Sequence, residues 1–286
     1  TPTNSNPFIV IDDNHFLDGE DVYPVYGINY YPMHYPWRRF LTETDIESIA
    51  PEMEMMHAIG INTLRIFLWN RALFQCDGNS IYPVESSFTR LDAFIHLAAN
   101  YDMRLIVTLN DMPDLTDQPL YDNPEHIQEQ TRFIVSRYVD EPMILAWDLR
   151  NEGDIDYGSR NIIETKFPRI QVLQWLKDTA ELVREIDNNH LVTAGWLQDA
   201  HSTAAYVDFV SFHHWSSAND LIRHIRSLQL TSDKPILLQE VGYSTHPDLF
   251  SPQEQADLLE SIFQISEAEG LLGWMIWTAF DFTTTA

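Results

Sequence analysis

A closed (β/α)8 TIM barrel is the α/β fold class this sequence predicts, and three observations predict it. Eight short apolar segments run along the chain, with helical patterns in most of the gaps between them. Alternation of that kind argues for a parallel sheet covered by helices. Eight such units in 286 residues, with no break in composition, argue for one closed barrel rather than an open sheet. The G-x-G-x-x-G fingerprint of a dinucleotide-binding open sheet is absent.

The elements follow in order. Residues 1–23 read as a linker, Thr1 to Pro7, followed by a small hairpin around Asp18-Gly19. Residues 24–286 read as a single barrel domain. Pro24 to Tyr31 forms the first strand. Thr44-x-x-Glu47 has the pattern of a capping box, Pro51 suits a first helical turn, and Gly60 ends that helix. Asn62 to Leu68 is the second strand. Leu91, Phe94, Ile95 and Ala98 share one helical face. Arg104 to Leu109 is the third strand, followed by a polar loop over 110–123 and a helix from Asn123-Pro124 to about Tyr138. Met143 to Leu149 is the fourth strand. A helix between Pro168 and Ile186 leads to the fifth, Leu191 to Gly195.

The gap before the sixth strand, Val207 to His213, holds a turn or two of helix. Leu221 to Leu228 is a short helix, and Pro235 to Leu238 is the seventh strand. Ser251-Pro252-x-Glu254 opens a capped helix that Gly270 closes. Leu272 to Thr278 is the eighth strand. Only eight residues follow it, so the last helix of the barrel is expected to be truncated or missing. The start at Thr1, and linker-like ends at both termini, read as part of a longer, processed parent chain carrying further domains.

Composition narrows the chemistry. The formal charge is −26, with only 17 Lys and Arg in scattered positions, which disfavours nucleic acid and anionic membranes as partners. No apolar run approaches the roughly 20 residues of a membrane span. Cys76 is the only cysteine, so no internal disulfide forms and the compartment stays open. Nothing calls for a cofactor or a metal. The acids Asp111, Asp114, Asp117 and Asp122, and the pair Asp154 and Asp156, lack the EF-hand spacing and read as a solvated loop.

In such barrels the C-terminal ends of the strands line the active site. Those ends offer Asn29, Tyr30 and Tyr31; Arg65, Trp69 and Asn70; Asn110 and Asp111; Asp148, Arg150, Asn151 and Glu152; Trp196; His213, His214 and Trp215; Gln239 and Glu240; and Trp277. Two glutamates at the ends of apolar strands, with an arginine, amides and a ring of aromatics, suit a sugar. Two carboxylates flanking a glycosidic bond are the minimum for its hydrolysis. His214 neighbours His213 on a strand, so it faces the other way and is structural.

These residues resemble the retaining glycoside hydrolases of clan A, and family 5 in particular. The resemblance runs from about Val25 to Trp277. It rests on Arg65 ending the second strand, Trp147-x-x-x-Asn151-Glu152 on the fourth, His213 ending the sixth, Glu240-Val241-Gly242 after the seventh, and Trp277 on the eighth. It implies that Glu152 is the general acid/base and Glu240 the nucleophile of a covalent glycosyl-enzyme. It further implies that Asn151 binds the sugar 2-hydroxyl, Arg65 bonds Glu240 and keeps it ionised, His213 lies near Glu152, and Trp277 floors the site. Asn110 belongs among the supporting groups at the strand ends. The family has His-x-Tyr on the sixth strand, where this chain has His213-His214-Trp215. Trp215 lacks the hydroxyl that meets the nucleophile, and Tyr243 or Tyr30 is the expected substitute.

The phrases Ile144 to Glu152 and Val207 to His213 look like β-mannanase and β-mannosidase members, while endo-β-glucanases share the frame. The implied substrate is a β-1,4-linked mannan or glucan, and the implied setting is extracellular or periplasmic. Two other classes compete: a carbohydrate-binding barrel without turnover, and a metal-dependent barrel hydrolase, which would need clustered His and carboxylate ligands.

Overall fold

Three short antiparallel strands open the chain: β1 (Val10–Asp12), β2 (His15–Asp18) and β3 (Asp21–Val22). The computed structural model describes residues 6–77, 80–111, 120–157, 167–245 and 248–282. The linker ends Thr1 to Ser5 and Thr283 to Ala286, and the loop acids Asp114 and Asp117, lie outside the described residues.

The barrel begins with β4 (Val25–Asn29), followed by helices α1 (Arg39–Glu43) and α2 (Ala50–Ala58). Next come β5 (Thr63–Phe67), the single turn α3 (Asn70–Leu73), and a small hairpin of β6 (Phe74–Asp77) and β7 (Ser80–Pro83). Helix α4 (Glu85–Ala99) leads to β8 (Arg104–Thr108), α5 (Glu125–Tyr138), β9 (Ile144–Asp148) and α6 (Arg169–Ile186). The remainder is β10 (Leu191–Thr193), β11 (Gly195–Trp196), β12 (Val210–His214), α7 (Ala218–Thr231), β13 (Ile236–Val241), α8 (Pro252–Ala268) and β14 (Gly273–Ile276).

The sheet closes. Its nine parallel strands run β10-β9-β8-β5-β4-β14-β13-β12-β11. The two end members, β10 and β11, are halves of one strand interrupted at Ala194, so the physical count is eight. β10 pairs with β9, and β11 with β12. Every residue of β5, β9, β12 and β13 is buried. That is the condition of a parallel sheet covered on both faces, and it explains why these segments read as largely apolar runs with their polar residues gathered mainly toward the C-terminal ends.

Two cores result. The larger fills the space between sheet and helices, and takes in Leu91, Phe94, Ile95 and Ala98 from α4. The smaller lies inside the barrel and is built from Val25, Ile106, Leu145, Phe209, Leu237 and Met275, with Ile9 and Phe16 from the N-terminal segment inserted among them. Phe16 meets Phe209 edge to face at 5.0 Å. The opening sheet therefore plugs one end of the barrel.

Several local expectations need correction. Asp45, not Thr44, is the capping residue, and it caps the 3-10 turn Ile46–Ile49 ahead of α2, its side chain accepting from the Glu47 N–H at 3.2 Å; Thr44 is buried and its Oγ1 has no hydrogen-bond partner among the described residues. The capped start of α8 does hold, with the reciprocal Ser251 and Glu254 bonds both present. Helix α7 is a turn longer at its N-terminus than its apolar pattern suggests, because Ser217 caps it ahead of the first apolar residue. Among the described residues no helix follows β14. The tail instead folds over the end of β4, where Ala279 N–H donates to Asn29 O at 3.1 Å and Phe280 and Phe282 pack against Tyr30 and Tyr31.

Candidate active site

A buried polar layer lies at the C-terminal ends of the strands, where the interior core stops. Arg65 on β5 is its centre. Its Nε and Nη2 donate to Asp148 Oδ2 at 2.9 and 2.7 Å, and its Nη2 also reaches Asn151 Oδ1 at 2.8 Å. Its Nη1 donates to Asn29 Oδ1 at 3.0 Å and to Glu240 Oε1. Asp148 accepts further from Thr108 Oγ1 at 2.8 Å and from the Gly195 N–H at 3.0 Å. Burying these charges costs several kcal/mol per ion, which only near-complete pairing offsets.

Glu152 reaches this layer through an unusual turn. Its backbone is left-handed, at φ 49° and ψ 42°, a region that residues with a Cβ seldom occupy. Two bonds to neighbouring strand ends hold it there: Asn151 N–H to Asn110 O at 3.0 Å, and Glu152 N–H to Gly195 O at 2.7 Å. A 3-10 turn, Gly153–Asp156, follows at once. Asp154 in that turn accepts the N–H groups of Leu197, Gln198 and Asp199 at 3.1, 2.7 and 2.9 Å, which staples it to the loop after β11.

On the opposite wall the register between β12 and β13 slips by one residue. Phe212 faces Leu238, but His213 faces Glu240. A bulge of this kind re-aims side chains, and here it places His213 between the two glutamates. His213 Nδ1 lies 3.0 Å from Glu152 Oε1 and 3.5 Å from Glu240 Oε2. Carboxylate oxygens of Glu152 and Glu240 lie within 4.8 Å of each other.

The electrostatics follow from burial and pairing. Burial alone would lower the His213 pKa, but the Glu240 charge and the bond to Glu152 outweigh it and raise it above 6.5. Burial raises the Glu240 pKa above 4.5; His213 and Arg65 pull it back without cancelling the rise. Arg65 therefore opposes protonation of Glu240, as an adjacent cation should, but burial still dominates.

The structure brings together Glu152, Glu240, Arg65, Asn151 and His213. Trp277 is part-buried beside them, its N–H donating to Val241 O at 2.8 Å and its ring meeting Phe67 edge to face. Trp215 is 43% exposed, and its ring crowds Gly242, as does the Trp277 carbonyl.

Other strand-end residues go elsewhere. Tyr30 is buried between sheet and helices, stacked on Phe94, with its hydroxyl donating to Glu52 Oε2 at 2.7 Å. The Tyr243 hydroxyl donates to Ser216 O at 2.9 Å. Neither replaces the missing tyrosine beside Glu240. Asn110 is a loop brace, its amide donating to Leu149 O at 3.1 Å. Trp69 and Trp196 are buried packing residues, and Trp147 bonds Asp187 away from the cleft. The solvated-loop reading of the acids fails for Asp111, Asp154 and Asp156, all buried. Asp111 accepts from Asn151 Nδ2 at 2.9 Å, and Asp156 pairs with Arg150 at 3.1 Å.

Strand-end position alone does not single out Asp148 or Gln239, which the structure ties directly into the layer. The available signal for Asp148 was a charge inside an apolar strand, since a buried charge demands a partner.

Residues 124–227 match a family description that reads "GH family 5 beta-mannosidase-like". Among curated proteins the chain is similar to mannan endo-1,4-beta-mannosidase A of Podospora anserina, 24% identical over 80% of this chain and 72% of that protein. It is also similar to mannan endo-1,4-beta-mannosidase F of Aspergillus fumigatus, 26% identical over 68% of this chain and 48% of that one, so it spans about half of the latter's length. Among solved structures it superposes on the endo-1,4-beta-mannanase of Rhizomucor miehei with TM-score 0.76 and 20% identity, covering 95% and 90% of the two chains. A Streptomyces cattleya structure in complex with Manb1-4GlcNAc gives TM-score 0.75 at 17% identity, covering 92% and 73%. Likeness at these identities speaks for the barrel fold.

Proposed function

We propose that this chain acts as a clan A glycoside hydrolase of family 5, hydrolysing a β-1,4-linked mannan or manno-oligosaccharide by double displacement, with retention. Mannan is favoured over glucan by the relatives it matches, which are mannan endo-1,4-beta-mannosidases. A polymeric substrate of this kind puts the reaction in an extracellular or periplasmic setting.

One observation carries the stereochemistry. Carboxylate oxygens of Glu152 and Glu240 lie within 4.8 Å of each other, near the ~5–5.5 Å of retaining enzymes and short of the ~6.5–9.5 Å that leaves room for a water in inverting ones. In the first step Glu152, protonated, gives its proton to the leaving glycosidic oxygen while a Glu240 oxygen attacks the anomeric carbon. The bond to the leaving sugar breaks and a glycosyl ester to Glu240 forms. In the second step Glu152, now ionised, takes a proton from water as that water attacks the same carbon and frees Glu240.

Arg65 holds the attacking carboxylate in place and opposes its protonation. Trp277 supplies an aromatic face beside the reacting sugar. Asn151, already fixed by Arg65 and Asp111, is placed to meet a hydroxyl next to the anomeric carbon.

The binding-only alternative draws on the missing sixth-strand tyrosine and the missing last helix; against the first, Arg65 and His213 both contact Glu240 without that tyrosine. Glu152, His213 and Glu240 also have the spacing of a metal-ligand set, but Arg65 already sits against Glu240, and a second cation there would be repelled.

The test is Glu240→Ala on an activated aryl β-mannoside. Turnover is lost, and added azide restores part of it with release of the α-mannosyl azide. Undiminished hydrolysis by that variant, or an α-configured sugar as the first product of the wild-type protein, would overturn the assignment.

A further inference from the structure

His213 has two ring nitrogens, and only Nδ1 faces the glutamates. Its Nε2 points down into the barrel, where Gln239 Oε1 lies 3.4 Å away. Gln239 is completely buried. The β12–β13 register slip that sets His213 beside Glu240 passes over Gln239 and leaves its side chain in the layer beneath. Gly195 leaves the room for this contact: a Cβ there would stand 1.9 Å from Gln239 Oε1 and 2.7 Å from His213 Nε2.

The rest of the Gln239 side chain gives no structural reason for an amide here. Its Nε2 has no protein partner among the described residues. A buried donor left unpaired carries its desolvation penalty uncompensated, and an aliphatic side chain of similar length would avoid that penalty. A locally unfavourable choice beside a site is expected where function requires it.

We propose that Gln239 is a positioning residue that keeps a proton on His213 Nε2, so that His213 Nδ1 is the atom that exchanges a proton with Glu152. An amide carbonyl accepts and cannot donate, so Nε2 must carry hydrogen to meet it. With Nε2–H fixed, neutral His213 presents a bare Nδ1 to protonated Glu152, and imidazolium presents Nδ1–H to ionised Glu152. The two states differ by one proton moved along a single 3.0 Å contact. The charged groups facing His213 are Glu152 from beyond β9, Glu240 from β13 and Arg65 from β5; the carboxylates favour the imidazolium and Arg65 opposes it. Gln239 adds a carbonyl dipole on the side of the carboxylates.

The proposal rests on the acid/base reading of Glu152 for its consequence, but its first test does not need turnover. Nitrogen-15 correlation spectra of the wild-type protein, with the His213 signals assigned by their loss in His213→Gln, report the tautomer of the neutral ring. The Nε2–H form supports the proposal. The Nδ1–H form, which a reversed Gln239 amide would impose, overturns it whether or not the protein is a glycosidase.

The second test is the pH profile of kcat/KM in Gln239→Met and Gln239→Glu. Losing the carbonyl makes the shared proton easier to remove, so the basic limb moves to lower pH in Gln239→Met, by about half a unit or more. A carboxylate at that position moves it to higher pH. Opposite shifts support the proposal. Two folded variants with an unmoved limb, or with shifts in the same direction, overturn it. A purely structural role would lower the melting temperature and leave the limb in place.

Discussion

Arg65 and Asp148 meet through a single carboxylate oxygen: both Nε and Nη2 of Arg65 converge on Asp148 Oδ2, at 2.9 and 2.7 Å, with both side chains fully buried. This pair fixes the plane of the guanidinium, and the plane decides that Nη1 points at Glu240. Lysine at position 65 keeps the charge but not the fork. Arg65→Lys is expected to fold and to lose about 10²–10³ in kcat, measured on an aryl β-mannoside. Asp148→Ala leaves the arginine without its main counter-charge and should cost about 3–5 kcal/mol in urea unfolding.

The pH dependence of activity follows from Glu240. Its pKa is raised by burial above 4.5, and an attacking carboxylate must be ionised. The acid limb of kcat/KM is therefore expected above pH 4.5, rather than at the ordinary carboxylate value. A profile that stays flat down to pH 4 would contradict the burial argument.

Stability has its own pH signature. The folded-state pKa of His213 is raised above the unfolded value of 6.5, so its contribution is fully present below about pH 6.5 and is lost as pH rises through the folded pKa. The raised Glu240 acts in the same sense from about pH 4.5 upward, since the folded state holds that proton more tightly. Melting temperature should fall on the alkaline side of pH 6.5, and His213→Gln should flatten that fall.

Asp154 is the staple between the turn that carries Glu152 and the loop after β11. Replacing it with alanine strands the N–H groups of Leu197, Gln198 and Asp199. Hydrogen bonds to a charged acceptor contribute about 1.5–3 kcal/mol each, not additively. The expected loss is about 3 kcal/mol overall, read as a shifted urea midpoint, together with reduced kcat as Glu152 loses its support.

Gly195→Ala tests the packing under His213. The new methyl would lie 1.9 Å from Gln239 Oε1 and 2.7 Å from His213 Nε2, so both side chains must shift. Overpacking of this kind costs about 1–3 kcal/mol. Activity should fall further than stability, because the displaced imidazole is the one that meets Glu152. Melting curves and kcat for the same sample separate the two.

What could be read from the chain came from local rules. Strands buried on both faces are mostly apolar, so β5, β9, β12 and β13 were visible as apolar stretches interrupted mainly by the polar groups of the site layer. A capped helix start is a short-range pattern, so Ser251-Pro252-x-Glu254 was visible as well. Asn151-Glu152 and Glu240-Val241-Gly242 stood out because polar groups ended those runs. The hairpin of β6 and β7 carried no such signal: its four-residue strands are mostly exposed or half-buried.

By itself, then, the sequence determined the number and order of the barrel strands, and which polar residues arrive at their ends, because those follow from periodicity within a few residues. Only the tertiary structure decided which of them face the cleft. Asn29 faces inward on Arg65, so Tyr30, the next residue, turns outward to Glu52; that Asn29 rather than Tyr30 takes the inward face is set by the pairing of the strands. The one-residue slip between β12 and β13 sets His213 beside Glu240 and tucks Gln239 beneath. Facing and register depend on how distant strands pair, and on the pairing that buried charge requires, and neither is written in any local stretch of the chain.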